Sequence, residues 1–227
     1  MSETPQRPLL LAFDLDGVLY SSEPFLGEAY REAMARVNAR HPGAFARVPA
    51  TAEILAHVGW PLPVIFANLF PGVAEAPLED LHAETLRVIC RRVAAGEGIC
   101  YPGVADTLRA LRDAGHALCL ASNGRTDYVE TVIATYGVAD LFLPRITADD
   151  VGDKTAILRH YLRTLPADRR RTVMVGDRAS DVDAARAVGC HFVGCDYGHG
   201  HRDEIEHAGP LVRSFADLPP VIEALLA

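Results

Sequence analysis

Two patterns of apolar residues run along this chain. The first is the short unbroken run. Residues 9–13 are continuously hydrophobic and stop at Asp14, as expected of a strand buried on both faces of a parallel sheet. Residues 116–121, 141–146, 172–175 and 190–194 have the same character. Helical periodicity fills the segments between them, so the expected fold class is α/β, a doubly wound parallel sheet.

The second pattern is amphipathic. Across residues 23–40 the apolar positions are Phe25, Leu26, Ala29, Ala33, Met34 and Val37, the three-and-four spacing of one helix face. Residues 51–58, 62–69 and 78–95 repeat it. About 100 residues separate the first two strands, where a crossover needs only about a dozen, so a helical bundle is inserted there. It is entered at Ser21 and Ser22 and left through Gly96, Glu97 and Gly98, the glycines being natural hinge points. The expected organisation is a core of residues 1–20 and 99–227 with a cap of residues 21–98. The cap begins where open α/β sheets bind ligands, just past the carboxyl end of a strand.

A length of 227 residues suits one core with such an insertion. The formal charge of −8 works against nucleic acid or an anionic membrane as partner. Five cysteines, an odd number lying mostly in apolar runs, read as reduced thiols. Residues 1–8 lack the features of a signal peptide, and no apolar run is long enough to span a bilayer. The expectation is a soluble cytoplasmic protein, a monomer or small homo-oligomer.

Candidate chemistry gathers at the ends of the predicted strands. Asp14 and Asp16 stand in FDLDG, where Gly17 permits a tight turn, so both carboxylates can reach one site. Ser122, Asn123 and Gly124 follow the second run and offer a hydroxyl, an amide and backbone N–H groups to a phosphate oxygen. Lys154 is the only lysine in the chain, which marks a position needing a compact ammonium in place of guanidinium. Asp177 and Asp181 stand in GDRASD, at the end of the fourth run. Four carboxylates against one lysine repel each other unless a cation joins them, and an all-oxygen donor set favours Mg²⁺ over Zn²⁺. A carboxylate beside a lysine and a metal can attack a phosphoryl group, and a second acid two residues on can protonate the leaving oxygen and then activate water.

The ordered set FDLDGVLY, LASNG, GDK and GDRASD resembles the four motifs of the haloacid dehalogenase superfamily, and the insert resembles its C1-type cap. The resemblance implies a Rossmann-like core and a phosphatase similar to phosphoglycolate phosphatase, acting on a small phosphate ester. By it Asp14 is the nucleophile, Asp16 the acid/base, and Ser122 and Lys154 contact phosphate. Asp177 ligates Mg²⁺, the Asp16 carbonyl completes the metal's ligands, and Asp181 acts through water or by orienting Lys154. Residues 59–62, GWPL, resemble the cap loop that faces substrate.

The same resemblance orders the alternatives. Asp16 argues against a haloalkanoate dehalogenase, and a cap without lysine argues against a phosphonoacetaldehyde hydrolase. A mutase similar to β-phosphoglucomutase remains the transferase alternative, although residues 23–40 lack the histidine such mutases carry. Signalling receiver domains share the acid–lysine chemistry but need no cap, and a non-catalytic module would have lost a motif residue. The histidines of residues 197–207 read as a glycine-rich loop bordering the site rather than a transition-metal centre. Arg31, Arg36, Arg87, Arg91 and Arg92 lie on helices of the insert and could meet an anionic substrate tail, although charged helix faces are usually just solvated.

Overall fold

The computed structural model describes residues 8–60 and 62–226; residues 1–7, discussed above for their lack of a signal peptide, and Pro61 of the GWPL stretch lie outside the described residues. The central sheet has five parallel strands in the order β4-β1-β5-β6-β7. These are β1 (Leu10–Phe13), β4 (Ala117–Leu120), β5 (Thr172–Gly176), β6 (His191–Cys195) and β7 (Leu211–Val212). A separate two-stranded antiparallel ribbon pairs β2 (Tyr20–Ser21) with β3 (Ile99–Cys100).

Strand β1 sits between β4 and β5, in register Phe13↔Leu120 and Phe13↔Val175. Its side chains alternate in direction, as pleating requires. Leu11 and Phe13 join a core layer with α5 (Val104–Asp113), α6 (Thr126–Thr135) and α11 (Leu218–Leu226), whereas Leu10 and Ala12 join the opposite layer with α8 (Lys154–Thr164) and α9 (Ala179–Val188). Helices therefore cover both faces, which is why the strand sequences are apolar throughout rather than alternating. Phe13 is fully buried and tilts against Phe215 at a ring separation of 5.7 Å.

Between β2 and β3 the chain forms α1 (Glu23–Arg40), α2 (Thr51–Leu55), α3 (Leu62–Leu69) and α4 (Glu75–Ala94). The apolar stripe of α1 is buried, including Phe25, Leu26, Ala33, Met34 and Val37. Helix α4 starts three residues before its expected position because Pro77 lies in the first turn, where its missing N–H costs no hydrogen bond. Helix α2 stops at Leu55; His57 and Val58 donate instead to the carbonyls three residues back, and Gly59 turns the chain at φ 95°. The remaining helices are the short α7 (Ala148–Val151) and α10 (Arg202–Ile205).

One expected strand is not formed. Residues 141–146 follow a 3₁₀ turn, Ala139–Leu141, and make one ladder-like bond, from Leu143 N to Leu118 O at 2.8 Å. Pro144 has no N–H with which to extend the pairing, and Arg145 turns back to the carbonyl of Ala139 at 3.1 Å. The fifth strand is instead β7, whose two residues are too few for a recognisable pattern.

Candidate active site

The carboxyl ends of β1, β4 and β5 meet at one edge of the sheet, and each is followed by a loop that carries polar side chains. Asp14 follows β1 directly, and its N–H still belongs to the ladder, donating to Val175 O at 3.0 Å. The carboxylate is 1% exposed. Its Oδ1 accepts from Leu15 N at 2.7 Å, and its Oδ2 accepts from Lys154 Nζ at 2.6 Å.

Lys154 opens α8 and is itself 1% exposed. Its ammonium also donates to Asp181 Oδ1 at 2.7 Å. Burial works against the charge, but Asp14 and Asp181 outweigh it and hold the lysine above its usual pKa. The lysine is thus a fixed cation between two acids. A longer planar guanidinium does not fit that role.

Asp181 lies in the first turn of α9, and its Oδ2 accepts from the backbone N–H groups of Asp177 and Arg178 at 3.2 and 3.0 Å. Both of its oxygens are therefore in use. Burial raises its pKa to about 6, against the opposing pull of Lys154. Asp177 differs. Its Oδ2 accepts from His199 N and Gly200 N at 2.7 and 3.0 Å, while its Oδ1 is buried without any partner. Burial first, then the charges of Asp14 and Asp181, push this acid well above the usual carboxylate range.

That orphaned oxygen is the observation that fits a cation. Oxygen atoms of Asp14, Asp177 and Asp181 all lie within 4.8 Å of one another, and among the described residues this is the one group of three or more metal-capable side chains. The donors are all oxygen, the set that hard Mg²⁺ prefers. The glycines around them leave room for close approach. Gly17 has φ +79°, and a Cβ there would strike the Asp177 carboxylate; a Cβ on Gly198 would meet both Asp177 and the carbonyl of Gly17.

Asp16 faces elsewhere. Its side chain is not part of the three-acid group; Oδ1 accepts instead from the hydroxyl of Tyr128, on α6 of the core, at 2.5 Å. Burial pushes its carboxyl up to about 7; the Tyr128 bond opposes this, Asp14 adds to it and Lys154 opposes it. A carboxyl near 7 is suited to giving and taking a proton at neutral pH. Ser122, 5% exposed, accepts from Gly124 N at 3.1 Å, and Asn123 Nδ2 crosses to the insert to donate to Gly59 O at 2.9 Å.

Asp16, Ser122, Asn123, Gly124, Arg125 and Tyr128 border a cavity of about 80 Å³ whose remaining walls come from the insert, including Gly59 and Trp60 of the GWPL stretch. Of the five arginines considered on the insert's helices, none lines it; Arg36 and Arg91 pair with Glu32, Arg87 with Glu84, and Arg92 with Glu28 and Glu97. The histidine-bearing loop borders the site through its backbone, His199 N and Gly200 N, and forms no metal group among the described residues.

Residues 9–189 match the family model for haloacid dehalogenase-like hydrolases. The chain belongs to that family. The hydrolase is 31% identical over 223 residues to a phosphoglycolate phosphatase of Yersinia pseudotuberculosis, covering 93% of this chain and 92% of the relative. It is 28% identical to one of Haemophilus influenzae, over 88% of this chain and 91% of that one. Its fold matches a predicted phosphoglycolate phosphatase from Haemophilus somnus with TM-score 0.80 at 21% identity, over 96% and 99% of the two chains. CbbY from Rhodobacter sphaeroides, solved in complex with phosphate, aligns with TM-score 0.76 at 23% identity, over 93% and 96%.

Two residues of the hydrolase's site escaped the sequence. Tyr128 sits at an apolar-spaced position of α6 with Val129, Val132 and Ile133, so its pattern is that of core. Arg178, inside GDRASD, is 7% exposed and reaches the insert, donating from Nη2 to Ala56 O at 2.8 Å. No helix of the described residues is long and apolar enough to cross a membrane.

Proposed function

We propose that the hydrolase is a Mg²⁺-dependent phosphatase of small phosphate monoesters that works through an aspartyl-phosphate on Asp14, with residues 21–98 acting as a cap over the site. The observation that carries this reading is the setting of Asp14. It is a buried carboxylate whose Oδ2 is held by Lys154 and whose Oδ1 by the Leu15 N–H, grouped with Asp177, one of whose oxygens lacks any partner.

Asp14 and Asp177 would hold the metal, with the Asp16 backbone carbonyl, and Asp181 would support it from its position on Lys154. The ion, when bound, neutralises the acidic cluster and draws charge from the transferring phosphoryl oxygens. An Asp14 oxygen attacks phosphorus as the bond to the ester oxygen breaks, and Asp16 gives its proton to the departing alkoxide. Asp16, now a carboxylate, takes a proton from water; the water oxygen bonds phosphorus, and the bond to Asp14 breaks. Ser122, the Asn123 and Gly124 loop and Lys154 balance charge on the phosphoryl oxygens through both steps. Hydrolysis is favoured over transfer to a second hydroxyl because no histidine is present among the described residues lining the cavity.

The test is phosphate release from p-nitrophenyl phosphate and a panel of metabolite esters headed by phosphoglycolate, the ester for which the curated relatives are named. Turnover requires Mg²⁺, stops in EDTA and is abolished by Asp14→Asn. Folded protein that releases phosphate from no ester overturns the reading.

A further inference from the structure

The reaction above concerns the phosphoryl group and leaves the departing alcohol open. That alcohol must occupy the cavity between the insert and the loop after β4, whose catalytic end is Asp16 and Ser122. The opposite wall is apolar, formed by Leu26, Ile54, Val58, Ile65, Leu86 and Ile89. A buried water takes roughly 10–15 Å³ in a comparable measure, so about 80 Å³ holds only some five to eight groups of that size.

Charge decides which small alcohols suit it. Among the described lining residues, Arg125 is the only cationic side chain. Its side chain is 49% exposed, and its Nε is paired with Asp149 at 2.7 Å on the side of the core. A carboxylate on the leaving group would therefore lose its water against aliphatic side chains, with only the exposed Nη groups of an arginine whose charge Asp149 already balances to meet it, while sharing the cavity with Asp16.

The unpartnered polar atoms of the wall point the same way. Asn123 cannot be turned over, because its Nδ2 donates to Gly59 O; its Oδ1 is consequently an acceptor, and it is buried with no donor. A carboxylate brings no donor, whereas a hydroxyl or an amide brings one. Thr85, 1% exposed, adds a hydroxyl that is likewise unpartnered.

We propose that the cap cavity selects a small uncharged alcohol as leaving group, apolar along the aliphatic wall and carrying one hydrogen-bond donor, and discriminates against esters with a second anionic group. The inference rests on the phosphatase reading and narrows its substrate class.

A matched pair of substrates tests it: phosphoglycolate and its neutral isostere, the phosphate ester of glycolamide, assayed with wild-type protein and Mg²⁺. The amide has at least tenfold higher kcat/KM, carried mainly by KM. Leu86→Lys, at a half-buried wall position, narrows the ratio by improving phosphoglycolate. Phosphoglycolate turned over as well as the amide or better, with Asp14→Asn inactive on both, overturns this inference and leaves the phosphatase reading standing. Failure of every ester in the panel overturns both.

Discussion

Replacing Asp16 by Asn should make the metal-free protein more stable and nearly inactive, with the stability gain growing as pH rises. Burial is the main reason the Asp16 carboxyl lies near 7, about 3 units above an unperturbed aspartic acid. Because the folded-state value is raised, the native protein holds a proton that the unfolded chain has released between about pH 4 and pH 7. Stability therefore falls as pH rises through that window and is level above it. At about 1.4 kcal/mol per unit, the penalty on the wild type grows by about 2–3 kcal/mol between pH 5 and pH 8. Asn stays neutral throughout and still offers the Tyr128 hydroxyl an acceptor, so the advantage of Asp16→Asn over wild type grows by that amount. Guanidinium unfolding in EDTA at the two pH values measures it, and taking the difference between the proteins cancels the lowered pKa values of the half-buried histidines, His82, His116 and His199. The loss of proton transfer costs about 10²–10⁴ in rate. An advantage that is absent at pH 8, or the same at both pH values, refutes the argument that burial governs this acid.

Three other substitutions probe the same cluster. Lys154→Met strands two buried carboxylates and should cost about 3–5 kcal/mol, read as a fall in the guanidinium midpoint, with activity lost as well. Tyr128→Phe removes a hydrogen bond to a charged group worth about 1.5–3 kcal/mol; since that bond lowers the Asp16 pKa, the alkaline limb of the kcat/KM profile moves up by about one to two units. Gly17→Ala sets a methyl against the Asp177 carboxylate at a backbone φ of +79°, and both activity and the Mg²⁺-induced rise in Tm should be lost.

The alternation of strands and helices was legible because this sheet is covered on both faces, which makes each central strand an unbroken apolar run. The same logic explains the two misreadings. Residues 141–146 are apolar because they lie along the sheet's edge at Leu118, not because they belong to the ladder, and composition does not distinguish these cases. Strand β7 is held by the register of β6 through Gly194↔Leu211 and Cys195↔Val212, a long-range pairing with no local signature. Helices of the insert were recovered to within a few residues, and their boundaries shifted where Pro77 or the turn at Gly59 intervened.

Within the site, legibility followed chemical rarity. A lone lysine and aspartates at strand ends are conspicuous because each is costly to bury without a purpose, and the structure places Lys154 between Asp14 and Asp181. Tyr128 and Arg178 are also buried but were silent, since a tyrosine on an apolar helix face and an arginine at a helix's N-cap have ordinary explanations. Their roles come from partners far away in sequence: Tyr128 meets Asp16, and Arg178 meets the Ala56 carbonyl of the insert. Together with the Asn123 bond to Gly59, these contacts join Asp16, the loop after β4 and the insert's wall of the cavity. Motion of the insert away from the core would break the Asn123 and Arg178 contacts and open the cavity toward water, relieving the burial that raises Asp16. On the proposed mechanism the closed arrangement would therefore do two things at once: shape the space for the leaving alcohol, and keep the proton for that alcohol on Asp16.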